Sequence, residues 1–293
     1  MLWIALTACA APLQVARNVL QRGLIGDAGP WGATLVRFLF GLPFSIAIFA
    51  CVAGLTPGAD PHVSTRFWLA IVVGALAQMG ATAALLVAMH RSGFAVATFM
   101  QQASLPLGAL LGWLVFGDQL RDLQWLGLAA TSLGLTVLSW PRADDAKGVL
   151  VGSLLGLVSG AAFAIALNGY RQAGLALEPH HPIYAGTAGV VVAQAFQSLL
   201  LGSILAVVRP SALKAVMGSW RASLGAGLCG SAASACWFSA LALSPAGPVR
   251  AVGVIEAPIA AAAGRRLFQE RLTHRQILGG ATTALGVIMT ALG

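Results

Sequence analysis

Three charged side chains fall well inside the apolar stretches of this 293-residue chain: Arg37, Arg250 and Glu256. The acid stands in VIEAPIAAAAGRRLFQERL, residues 254–272, among small apolar neighbours. A carboxylate in such a setting can titrate, because burial raises its pKa while a nearby guanidinium lowers it, and it can meet a cationic or zwitterionic solute. An ionised group at the centre of a bilayer costs about 2.5–3.5 kcal/mol on insertion scales, so each of the three needs a reason. Helical rise puts Glu256, eleven residues past Pro245, about 16 Å into a hydrocarbon layer about 30 Å thick. The same arithmetic brings Arg37 within about 5 Å of that depth and makes it the expected partner. Arg250 lies six residues before Glu256. An unbroken helix would turn the two about 240° apart, which excludes direct pairing and leaves Arg250 to snorkel outward.

The neutral polar set inside the apolar runs is Gln78, Gln101, Gln102, Asn168, Gln194 and Gln197. Amides in lipid serve as interhelical hydrogen bonds as readily as ligands. Gln101 and Gln102 are the better ligand candidates because they precede Pro106 in a run that parallels the Glu256 run. Pro106 and Pro258 each remove a helical donor and crowd a carbonyl, which suits a hinge or a cavity wall. Trp237 and Trp113 are candidates for an aromatic wall, although tryptophan more often marks the membrane interface. Cys229 and Cys236, seven apart, lack neighbouring histidines and read as small packing residues. His180 and His181, in EPHHP, read as a solvated turn. No metal site follows from these, and no Gly-rich phosphate loop calls for a nucleotide. The expectation is a protein without a cofactor.

The elements that must hold these residues are transmembrane helices. With 58% hydrophobic and 9% charged residues and a mean hydropathy of +0.84, the apolar side chains exceed what one globular core can take up. Apolar runs occur at about 2–20, 31–55, 67–89, 93–116, 123–140, 148–170, 182–208, 222–243, 245–264 and 276–292, each long enough to cross the bilayer. The longest connection with turn character is TPGADPHVST. The N-terminal run reads as an uncleaved first helix. A net charge of +8 comes from basic residues standing singly or in pairs at helix ends, which points to interface anchoring and away from nucleic acid.

The frame around Glu256 is duplicated. QASLPLGALLGWLVFGDQL begins 152 positions earlier, aligning Pro106, Gly112, Phe116, Asp118 and Leu120 with Pro258, Gly264, Phe268, Glu270 and Leu272, with Ser104 opposite Glu256. The register continues from Gln124, Leu126, Gly127, Ala129, Leu133 and Gly134 to Gln276, Leu278, Gly279, Ala281, Leu285 and Gly286. The halves are therefore residues 1–145 and 146–293. Five helices in each half require the second to enter the membrane from the opposite side, an arrangement associated with transporters whose site lies between the repeats. Basic residues concentrate on the side of the odd-numbered loops and place both termini outside the cytoplasm.

These residues resemble the EamA family of the drug/metabolite transporter superfamily. The resemblance rests on FGDQL with LGLAATSLG, on FQERL with LGGATTALG, and on VRFLFG opening the second run. It implies an all-α membrane protein of ten helices in two inverted five-helix repeats, and a secondary transporter working by alternating access. It also implies export of small metabolites such as amino acids or related amphipathic compounds. A bacterial inner membrane is the expected setting and the lipid bilayer the expected partner, and the carboxylate near mid-bilayer, Glu256, makes protons the expected coupling ion. Family members have cytoplasmic termini, opposite to the charge count here, and Asp118 stands where the family more often has Glu. Two other classes compete with a transporter. A membrane-embedded enzyme needs acids or histidines converging near one interface, and the nine acidic residues are mostly scattered singly in loops. A sensor or scaffold needs no titratable centre. Substrate, direction and oligomeric state are open at this level.

Overall fold

A computed structural model describes residues 2–116, 121–138, 146–244, 246–270 and 272–292. Among them the chain forms fourteen helical segments and no strand. Five stretches are long and apolar enough by themselves to cross a membrane: Ala28–Leu55, Thr65–Ser92, Leu150–Leu177, Pro182–Val208 and Trp220–Leu243. The other apolar runs are covered by helices that are shorter, broken or more polar. A short helix between the seventh and eighth runs, Pro210–Gly218, was not anticipated; Pro210 sits at its first position, where the missing donor costs nothing.

The chain divides into two compact units, each drawn from both halves of the sequence: residues 1–79 with 166–245, and residues 80–165 with 246–293.

The first unit contains α1 (Leu2–Gly23), α2 (Ile25–Leu39), α3 (Leu42–Leu55), the start of α4 (Thr65–Ser92), the end of α8 (Ala146–Leu177), α9 (Pro182–Val208), α10 (Pro210–Gly218) and α11 (Trp220–Leu243). Helix α11 packs on α1, α2, α3 and α9. The approach is close because Gly227 and Gly41 leave room for backbone against backbone, and Ser231 Oγ donates to Gly41 O at 2.7 Å. Buried amides tie the helices together. Gln197 Nε2 donates to Ala75 O at 2.9 Å and to Gln78 Oε1 at 3.0 Å, and Tyr170 Oη donates to the same Gln78 oxygen at 2.8 Å. Arg171 Nη1 donates to the carbonyls of Leu241 and Ser244, at 2.7 and 2.6 Å, meeting the open C-terminal end of α11 with a cation.

The second unit contains the end of α4, α5 (Phe94–Gln101), α6 (Ser104–Phe116), α7 (Asp122–Leu138), the start of α8, α12 (Ala246–Gly253), α13 (Glu256–Leu267) and α14 (His274–Leu292). Its main contact is the crossing of α7 and α14. A Cβ on Gly134 would collide with the backbone nitrogen of Thr283 and lie 2.7 Å from Gly279 O. A Cβ on Gly286 would collide with the backbone nitrogen of Thr131 and lie 2.7 Å from Gly127 O. Each member of one contact is 152 positions from its counterpart in the other. The order of partners reverses along the two helices, so they run antiparallel. Even the hydroxyls correspond: Thr131 donates to Gly127 O and Thr283 to Gly279 O, both at 2.8 Å.

Candidate functional site

The fourth and ninth apolar runs, expected as continuous helices, are each broken. The breaks are at residues 102–103, between α5 and α6, and at residues 254–255, between α12 and α13. These are equivalent positions of the repeat. Each lies four residues before a proline, Pro106 or Pro258, whose ring crowds the carbonyl four residues back. Both breaks tighten to bonds three residues back: Gln102 N donates to Phe99 O and Ala103 N to Met100 O, as Ile255 N does to Val252 O and Ala257 N to Val254 O.

The break overturns the rotation argument for Arg250 and Glu256. A six-residue separation turns 240° only along an unbroken helix; here Arg250 belongs to α12 and Glu256 opens α13. The reset turn brings Arg250 Nη1 to 3.7 Å from Glu256 Oε1. Both are buried, Arg250 at 3% and Glu256 at 1% exposure, so Arg250 does not snorkel. Arg250 Nη2 also donates to Gln102 Oε1 at 2.9 Å, joining the α12/α13 break to the α5/α6 break. An arginine only donates, so the oxygen of Gln102 must face it and the amide nitrogen must point elsewhere.

That nitrogen is one of three buried polar atoms at the α5/α6 break with no hydrogen-bond partner among the described residues: Gln102 Nε2, Gln101 Oε1 and Ser104 Oγ. All three residues are at most 2% exposed. An unsatisfied buried polar group costs about 1–3 kcal/mol, so a cluster of three calls for something polar to fill it. Helix α8 holds the break in place. Its Gly160 lies against Gln101 O, Ala103 Cβ and Ser104 N, and its Gly156 against Met100 Cβ.

The acid of FQERL has a structural task in the same unit. Phe94 N–H donates to Glu270 at 2.9 Å and Ala95 N–H at 3.3 Å, so this carboxylate caps the N-terminus of α5, where an anion is favoured. Gly93, with φ of 90°, turns the chain into α5 beneath the carboxylate, and a Cβ there would lie 3.3 Å from it. The counterpart, Asp118 of FGDQL, lies outside the described residues, as does the side chain of Trp113.

The remaining candidates lie in the first unit. Arg37 is buried, donates to Ser234 Oγ at 3.2 Å and lies over the Phe38 ring. Gln78 is engaged by Tyr170 and Gln197 and acts as an interhelical tie. Asn168 is half-buried on α8. Trp237 is 5% exposed, a core position and not an interface one. Sequence reasoning passed over Tyr170, which is buried and stacked on Phe238 with ring centroids 4.0 Å apart. One of only two tyrosines in the chain, inside an apolar run, was the available signal. No group of three metal-ligating side chains occurs among the described residues.

Broken helices with half-helix ends at a buried charged site are a feature of transporter folds. The first half of the sequence matches the EamA-like transporter family over residues 1–140. Over the chain as a whole, a protein of known crystal structure is similar in fold, with a TM-score of 0.60 at 17% sequence identity, covering 97% of this chain and 98% of the other. No curated protein matches by sequence. The family match over residues 1–140 suggests a transporter, and the long apolar helices are those of a membrane protein.

Proposed function

We propose that the protein is a secondary transporter that carries a small solute by alternating access, with ten spans in two inverted repeats, residues 1–145 and 146–293. The solute binds at the paired breaks, where Gln101, Gln102 and Ser104 offer hydrogen bonds and Arg250 with Glu256 offer charge. The observation that carries this reading is the cluster of three buried, unpartnered polar atoms beside a buried ion pair. The Gln102 nitrogen can only donate, the Gln101 oxygen can only accept, and the Ser104 hydroxyl can do either. A solute bearing both donors and acceptors, such as an amino acid or a related amphipathic metabolite, satisfies all three.

Glu256 is the coupling group in this proposal. Protonation would remove its hold on Arg250 and free that guanidinium for an anionic part of the solute, so proton and solute occupancy become linked. Pro106 and Pro258 act as hinges, because the helical bonds they interrupt are already missing in the resting state. Arg37, Asn168 and Trp237 are assigned to the solute path on their polarity and burial, and Gln78 to its support. The setting is a bacterial inner membrane and the direction is export.

The test is counterflow in liposomes. Vesicles containing purified protein and unlabelled amino acids should take up labelled solute above its external concentration, across a panel that includes hydrophobic and aromatic amino acids. Chemical conversion of a lipid without flux would favour the enzyme class. Neither flux nor conversion would favour a sensor.

A further inference from the structure

An open cavity of about 1170 Å³ lies at the far end of α13 from the Arg250–Glu256 pair. Ala261, Leu272 and Ile277 form an apolar lining, and Arg265 and Arg266, in the last turn of α13, contribute two exposed guanidiniums. Neither arginine has a hydrogen-bond or ion-pair partner among the described residues. Glu270 also borders the cavity, but its carboxylate accepts from the Phe94 and Ala95 amides and is directed at the N-terminus of α5. Close by, α14 begins with His274 and Arg275, and no acid stands in its first turn. Cations placed at a helix N-terminus oppose the helix dipole, and an anion between the two helices would relieve that opposition.

We propose that this cavity binds the headgroup phosphate of an anionic phospholipid, with Arg265 and Arg266 on the phosphate and the acyl chains along Ala261, Leu272 and Ile277. Three features select a lipid over a free anion. The site is amphipathic, with charge on one side and apolar surface on the other. It stands at the end of a helix whose other end is buried, hence at the depth of the headgroups. Paired arginines match phosphate geometry and supply a positive mouth despite Glu270, and basic pockets between membrane helices take anionic headgroups. The inference requires only that the chain lies in a membrane, and stands or falls separately from solute transport.

The experiment is thermal unfolding and native mass spectrometry of the full chain in detergent, with added phosphatidylglycerol, phosphatidylcholine or inorganic phosphate. Phosphatidylglycerol should raise Tm by several degrees and remain bound as a resolved adduct, and the effect should shrink at high salt. The R265Q/R266Q variant should keep its Tm in phosphatidylcholine, which shows that it folds, and should retain phosphatidylglycerol at least tenfold more weakly. R265K/R266K should keep part of the effect, because lysine preserves the charge and loses the fork. An equal shift from phosphatidylcholine or inorganic phosphate, an undiminished shift in R265Q/R266Q, or no shift in the wild type would each overturn the proposal.

Discussion

The crossing of α7 and α14 can be tested by adding single methyl groups. In Gly286→Ala the new carbon would overlap the backbone nitrogen of Thr131 and sit 2.7 Å from Gly127 O. Ordinary carbon–oxygen contacts are longer by roughly 1 Å, so the helices must part by that amount or lose their packing. Overpacking of this kind costs about 1–3 kcal/mol. The backbone cannot rotate out of the way as a side chain would, which puts the cost at the upper end. Against it stands the helix preference of Ala over Gly, about 1 kcal/mol. The net expectation is a loss of about 1–2 kcal/mol, and the same for Gly134→Ala, whose Cβ meets Thr283 and Gly279 O in the reciprocal way. The double variant should lose less than the sum, because helices already parted by one methyl accommodate the second. Gly202 of α9, with open space around it, is the control. Gly202→Ala should raise stability by up to about 1 kcal/mol. Reversible unfolding in mixed detergent reads all four. Strict additivity, or no loss in either single variant, would refute the reciprocal crossing.

The cap on α5 predicts that Glu270→Gln destabilises by about 1–2 kcal/mol in the same assay, since an amide keeps one acceptor but loses the charge favoured at the helix N-terminus. On the loop side of the first unit, burial works to raise the Glu178 carboxyl, but hydrogen bonds from the His180 and Asp60 amides, with His181 beside them, outweigh it and hold the group below the ordinary carboxylate range. A depressed carboxyl contributes stability above its unfolded-state value, about 4.3, and loses it as pH falls through the folded-state value. The protection factor of the Asp60 amide, its exchange corrected for the intrinsic pH dependence, should therefore fall at acid pH below the usual carboxylate range, and Glu178→Gln should abolish that fall; an unchanged profile in the variant would remove Glu178 from the clamp. For the inverted repeat, cysteines placed at the equivalent exposed positions Arg121 and Thr273 should label with an impermeant thiol reagent from opposite faces, and labelling from one face would contradict it.

Much of this was legible in the sequence because it rests on periodicity and repetition. The register from Gln124 to Gly286 already fixed which residues of α7 and α14 correspond, and the structure adds that they touch. Glu256 stood out because an acid in an apolar run is costly wherever the helix goes. What failed was arithmetic that assumes an unbroken helix. Pro106 and Pro258 signalled hinges, but a proline does not say how far the turn is reset, and that angle decides whether Arg250 reaches Glu256. Gln78 and Gln102 look alike in sequence, and only their neighbours separate an amide enclosed by Tyr170 and Gln197 from one with its nitrogen unpartnered. The capping role of Glu270 was hidden for a similar reason: the amides that donate to it lie 175 and 176 residues away in the chain, at α5.

We propose that Glu256 couples solute movement to protons, and the decisive variant is Glu256→Gln. The substitution keeps size and hydrogen bonding, removes titration, and leaves Gln102 Oε1 as an acceptor for Arg250. Vesicles containing the wild type and the variant, with solute inside and a proton gradient across the membrane, should differ in two respects. The variant should exchange solute at a rate independent of pH and fail to concentrate it against a gradient. Concentrative, gradient-driven transport by Glu256→Gln at the wild-type rate would rule out that role and leave the Arg250–Glu256 pair as a structural bridge across the helix break.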